Sequence, residues 1–200
     1  MPTLVAEDFE GAMPGTLRSS GLPLVELVDS PVHRGTQALH AVQAQAQAQA
    51  GLDFPITPIT AGTLYFRGYV YVPVAVATTG IKVMDFGTAY GPLTDINVSQ
   101  NQIVDLFMHP TGITATSAAG VVPFGRWCCM QVTLVVSSTV GSVDVSLDGV
   151  TVMTRTGLNT LAPGGVTGMG VGALWTRVNQ TNAAVYWDDI VLAQQPVPCQ

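Results

Sequence analysis

Three observations predict an all-β chain folded as a two-sheet antiparallel jelly-roll sandwich. Runs rich in β-branched, aromatic and aliphatic residues alternate with turn signals from end to end, as in sandwiches and barrels. The chain carries 21 glycines and 13 prolines, which suits many tight turns. Its 200 residues fit one sandwich, 1–200, because such folds often run to ~200–250 residues as a single domain.

The elements follow in order. Strands are expected over residues 4–10, 24–29, 38–45 and 51–54. The clearest is 63–73, where Leu64, Phe66, Gly68, Val70 and Val72 alternate with Tyr65, Arg67, Tyr69 and Tyr71. Pro73 ends that run by withholding a ladder donor. Further strands are expected over 80–87, 94–99, 102–109 and 112–118, then over 127–137, 142–147, 150–156, 168–177 and 184–193. Between two of them, Leu147-Asp148-Gly149-Val150 signals a hairpin, since Asp-Gly supplies the positive φ angles of a type I′ turn. The Gln-Ala repeats over 41–50 pair good helix formers with a period of two, and read as a strand running into a loop.

Composition excludes several function classes. Seven basic residues face 13 acidic ones, for a net charge of −6. Nucleic acid binding needs Lys and Arg to displace counterions from phosphates, and this chain has one Lys and six scattered Arg. Anionic membranes are set aside for the same reason, and no apolar run reaches the ~18 residues of a membrane span. Residues 1–20 lack a basic start followed by an apolar stretch. The expectation is a leader already removed, or release by another route such as a virus particle.

Charged residues are only 10% of the chain, against an average near ~25%, and mean hydropathy is +0.39. That pattern fits heavily buried sheets, or a surface hidden in an assembly of copies of this chain. The three cysteines, Cys128, Cys129 and Cys199, lack CxxC spacing. On a strand Cys128 and Cys129 point to opposite faces, so only one of them readily meets Cys199. The expectation is one disulfide tying the tail to a strand; three buried thiols are the alternative.

Four stretches, in order, carry a family resemblance: Glu7-Asp8-Phe9-Glu10, Gly35-Thr36-Gln37-Ala38-Leu39, Tyr65-Phe66-Arg67-Gly68-Tyr69-Val70-Tyr71-Val72-Pro73 and Tyr186-Trp187-Asp188-Asp189-Ile190-Val191. Together they resemble the concanavalin A-like lectin/glucanase superfamily, in particular its bacterial secreted carbohydrate-binding and polysaccharide-lyase-like members. The resemblance spans nearly the whole chain. It implies two curved sheets, the concave one carrying a sugar groove. Trp127-Cys128-Cys129 and Pro198-Cys199 are similar to a tail-pinning disulfide of such proteins, which implies Cys129 paired with Cys199. It also implies a structural Ca²⁺ between the first strand, a glycine turn and the last strand. The matching positions here are Glu10, the carbonyls from His33 to Gly35, and Asp188 or its neighbour Asp189.

The glucanase motif Glu-x-Asp-x-x-Glu is absent, and the only glutamates, Glu7, Glu10 and Glu26, all precede residue 30. A hydrolase of that type, which needs two carboxylates across the scissile bond, is not expected. Sugar binding asks for rings over pyranose faces and polar groups on hydroxyls. Arg67, Tyr69, Tyr71, Lys82, Asp105, His109, Trp175 and Arg177 are suitable types and are expected to line one groove, with Lys82 on a strand beside Tyr69. Trp127 and Trp187 read as core. The expected function is a non-catalytic carbohydrate-binding domain, extracellular or at the cell surface, whose partner is a glycan or polysaccharide. The alternatives are a structural subunit of a surface layer, fibre or virion, and a polysaccharide lyase on acidic glycans.

Overall fold

The computed structural model describes residues 2–20, 24–43, 48–73, 80–89, 91–176 and 183–200. Among them lie fifteen strands, one 3₁₀ turn (Gln100–Gln102) and no α-helix. The first strands are β1 (Thr3–Glu7), β2 (Thr16–Ser20), β3 (Leu24–Val28), β4 (Ala38–Gln43) and β5 (Gln49–Ile59). Next come β6 (Gly62–Tyr71), β7 (Ile81–Thr88), β8 (Gly91–Ser99), β9 (Ile103–Met108) and β10 (Ile113–Thr116). The last are β11 (Trp127–Val136), β12 (Gly141–Leu147), β13 (Val150–Leu158), β14 (Val166–Thr176) and β15 (Ala183–Ala193).

The strand pairings are antiparallel and form two sheets, and an isolated parallel bridge joins Val72, just after β6, to Phe124. The eight-stranded sheet runs β13-β12-β11-β6-β15-β4-β3, with β1 also on β15. The seven-stranded sheet runs β10-β9-β8-β7-β14-β5-β2. β4 takes Ala183 to Trp187 of β15, and β1 takes Ile190 to Ala193. Between them β15 bulges, and Asp189 adopts a φ of +47°.

The inward residues of both sheets form one core, the physical reason for the period-two pattern. Leu64, Phe66, Val70 and Val72 of β6 and its bridge are buried there with Trp187, Phe86, Leu106 and Met130. The 147–150 hairpin forms as expected, with φ of +49° at Asp148 and +80° at Gly149. β4 ends at Gln43; residues 44–47 of the Gln-Ala repeat lie outside the described residues.

Two elements depart from expectation. β2 is an edge strand with no alternating burial, so period two does not reveal it. β5 runs on through Pro55 and Pro58. Its last pair with β2 is Asp53 with Thr16, so the prolines lie where β5 has lost that neighbour. Proline is tolerated there because fewer ladder donors are needed.

Candidate functional site: a trough across the seven-stranded sheet

Direct cross-strand partners share a face of a sheet. On the outer face of the seven-stranded sheet, Thr16, Asp53, Gly170, Asp85, Asp95 and Phe107 form one such row across β2, β5, β14, β7, β8 and β9. A second row holds Trp175, Lys82, Asn97 and Asp105. Lys82 and Asp85 are three apart yet share the face, because β7 bulges against β8 between them.

The charged groups join into a chain. Arg18 Nε donates to Asp53 Oδ2 at 3.0 Å, and its Nη2 also pairs with Asp53. Arg18 Nη1 and Nη2 reach Asp85 Oδ2 and Oδ1 at 2.6 and 3.1 Å. Lys82 Nζ lies 3.4 Å from Asp85 Oδ2 and 3.0 Å from Asp95 Oδ1. His109 Nε2 lies 2.9 Å from Asp95 Oδ2. Burial alone would lower the Arg18 pKa, but its hydrogen bonds with Asp85 and Asp53 outweigh that and raise it.

Glycine makes this span possible. Arg18 stands on β2 and crosses both β5 and β14 to reach Asp85 on β7. Its partner on β5 is Gly51, and on β14 a Cβ at Gly170 would sit 2.6 Å from Arg18 Nη2 and 2.8 Å from Asp85 Oδ1. A side chain there would displace the guanidinium.

Two open cavities meet at Lys82. One, about 450 Å³, is lined by Thr16, Arg18, Asp53, Asp85 and Thr88 among others. The other, about 660 Å³, is lined by Trp175, Asp95, Asn97, Asp105, Phe107 and His109 among others. In the second, Ser99 Oγ donates to Asp105 Oδ2 at 2.7 Å, and Phe107 meets His109 edge-on at 4.7 Å. The trough thus offers a partly exposed indole beside fixed hydrogen-bonding groups.

Of the candidate residues, the structure brings Lys82, Asp105, His109 and Trp175 together around one cavity. Arg177 lies outside the described residues. Arg67, Tyr69 and Tyr71 require a correction. β6 pairs with β11 and β15, so these residues lie on the eight-stranded sheet, and Lys82 is on the other one. Their outer face is largely covered. Cys129–Cys199 pins the tail there, the pairing the resemblance implied, and Gln131 Nε2 donates to Val197 O at 2.7 Å. The Tyr69 hydroxyl bonds Gln200 while His33 stacks on its ring at 3.5 Å. Arg67 is only 5% exposed and donates to Asp189 O at 2.5 Å. Trp127, expected in the core, stands on this same outer face beside Tyr71, at 5.7 Å between ring centres. Trp187 is core.

The expected calcium positions converge on one turn. Glu10 Oε1 accepts from the N–H of Thr36 and Gln37 at 2.8 and 2.9 Å, and its Oε2 from the Thr36 hydroxyl at 2.6 Å. Those bonds, the hydroxyl first, lower its pKa. Asp188 Oδ2 accepts from His33 and Arg34 N–H at 3.0 Å, and burial raises its pKa in spite of these bonds. Gly35, at φ +75°, leaves room for the Glu10 carboxylate. Ca²⁺ asks for six to eight oxygens, whereas these carboxylates meet N–H groups. Among the described residues no three His, Cys, Asp or Glu gather as a metal cluster. The donor set as it stands fits turn capping.

Sequence reasoning missed Arg18, Asp53, Asp85 and Asp95. A signal for the aspartates existed: each is a lone acid between large apolar or β-branched neighbours, as in Met84-Asp85-Phe86. A buried charge of this kind needs a partner.

No protein-family model matches the chain, and no curated protein matches it in sequence. Solved structures do match. Cellulose induced protein Cip1 superposes with a TM-score of 0.74 at 18% identity, covering 98% of this chain and 100% of its own. An endo-β-1,4-glucuronan lyase from the fungus Trichoderma reesei gives 0.70 at 14% identity, covering 97% and 96%. The CBM22-1 xylan-binding domain of Paenibacillus barcinonensis Xyn10C gives 0.51 at 13% identity, covering 96% and 93%. This chain therefore has the two-sheet jelly-roll fold of these proteins, in keeping with the concanavalin A-like resemblance of its sequence.

Proposed function

We propose that this chain is a non-catalytic carbohydrate-binding domain of an extracellular protein, with the glycan lying in the trough of the seven-stranded sheet. The observation that carries the reading is Trp175 beside Lys82, Asn97 and Asp105 in one open cavity of about 660 Å³. An indole covers the apolar face of a pyranose, and the polar row meets its hydroxyls. The fold supports it, because proteins of this fold include one that binds xylan and one that acts on glucuronan. The disulfide supports an extracellular setting.

A glycan array followed by calorimetry tests this. Trp175→Ala should weaken binding about tenfold, roughly 1.4 kcal/mol. Arg67→Ala should leave it unchanged, since Arg67 is buried on the other sheet. An array with no hit, or equal binding by Trp175→Ala, would overturn the reading.

One observation favours a second reading, a lyase on acidic glycans: His109 is paired with Asp95 at 2.9 Å and lines the trough. A base of that kind can take the proton beside a uronate carboxylate. Ultraviolet absorbance of unsaturated product from a polyuronate, lost in His109→Ala, is its test. The reaction also asks for a cation on the substrate carboxylate, and Arg18 and Lys82 are each held by two aspartates. Binding is the better-supported reading. Calcium at Glu10, Gly35 and Asp188 is kept as a separate proposal.

A further inference from the structure

On the reading that this trough holds a glycan, we infer that it selects uncharged chains and turns polyuronates away. Four carboxylates, Asp53, Asp85, Asp95 and Asp105, line the two cavities, against the cations Arg18 and Lys82. Both cations are engaged. Arg18 uses Nε, Nη1 and Nη2 on two aspartates, and Lys82 Nζ lies between two. A uronate entering here must draw a cation from Asp85 or Asp95, which are 1% and 7% exposed. Asp85 would then keep only one of its two cations, or Asp95 only His109, so a buried carboxylate would lose part of its compensation, which is costly.

The arrangement has little freedom to adapt. The Arg18 guanidinium lies across bare backbone at Gly170, so it is seated against the sheet. A neutral sugar brings hydroxyl donors, and ionised carboxylates are acceptors only. The same groups that repel a uronate therefore suit a neutral pyranose. At low salt the net negative trough also repels a polyanion at range.

The test is calorimetry of the full chain with a neutral xylo-oligosaccharide and an oligoglucuronate of equal length. The neutral ligand should bind about 100-fold more tightly at low salt. Added NaCl should strengthen the weak uronate binding, since it screens repulsion, and leave the neutral ligand unaffected. Asp53→Asn with Asp105→Asn, which spares the two most buried aspartates, should narrow the ratio about tenfold; circular dichroism checks that the variant folds. Tighter binding of the uronate, a uronate affinity that falls with salt, or a ratio unmoved in the folded variant would each overturn the inference while leaving a glycan-binding trough. Failure of both ligands and of a wider array would sink the binding reading and the inference with it.

Discussion

Glu10 and Asp188 grip the same turn and titrate in opposite senses. The Thr36 hydroxyl, then the Gln37 and Thr36 N–H groups, hold the Glu10 pKa below its ordinary 4.5. Its contribution to stability is thus present above the unfolded value and lost as pH falls through the folded one. Asp188 is raised by burial, so the penalty on its charge is relieved as pH falls. Glu10→Gln should lower Tm by a few degrees at neutral pH, and the deficit should close below the ordinary value of 4.5. Thermal melts across that range check this; a deficit constant with pH would remove the role of the charge. The same melts with Ca²⁺ and with a chelator test the calcium proposal. A rise with Ca²⁺ that Glu10→Gln abolishes would support it, and no response would leave turn capping as the whole role.

At the scale of elements, β6 and the tail show what pattern reading reaches. The period-two alternation over 63–73 marks the inward side of β6 correctly, because burial repeats every second residue. The same alternation placed Arg67, Tyr69 and Tyr71 on one outward side, and they are on one side. That this side is covered depends on residues 197–200, which approach from the far end of the chain. The Cys129–Cys199 bond closes a separation of 70 residues. In the chain-entropy model that is worth about 4 kcal/mol. Cys199→Ser should lower Tm by roughly 8–16 °C at 2–4 °C per kcal/mol, and glycan affinity should hold, since the trough is on the other sheet. A loss of binding in the folded variant would count against that site. Burial, and after it Asp148, pushes the Cys128 thiol up to about 12, so it stays protonated in the core, on the opposite face from the bond, and does not exchange with it.

For the whole molecule, the question is which surface is open. Leu17, Leu24, Ile113 and Val150 are exposed on β2, β3, β10 and β13, the outermost strands of the two sheets. They are spread over separate edges, so any association of copies would run edge to edge. Light scattering at high concentration should read a monomer; a dimer dispersed by Leu17→Lys or Ile113→Lys would instead favour the alternative of a structural subunit that packs on copies of itself. The sequence by itself determined the two-sheet architecture, nearly every strand and the inward face of β6, because burial on one side imposes a two-residue period that a half-buried strand carries locally; edge strand β2 carries no such period, and Trp127 on β11 faces outward against expectation. It also held Trp175, Lys82, Asp105 and His109 as candidates by residue type. Only the tertiary structure decided that these face one trough with Arg18, Asp53, Asp85 and Asp95, and that on the opposite sheet Arg67 is buried and Tyr69 lies under the tail. Strand order and the path of a tail are set by contacts between residues far apart in the chain. No local period encodes which outward face a distant segment will cover.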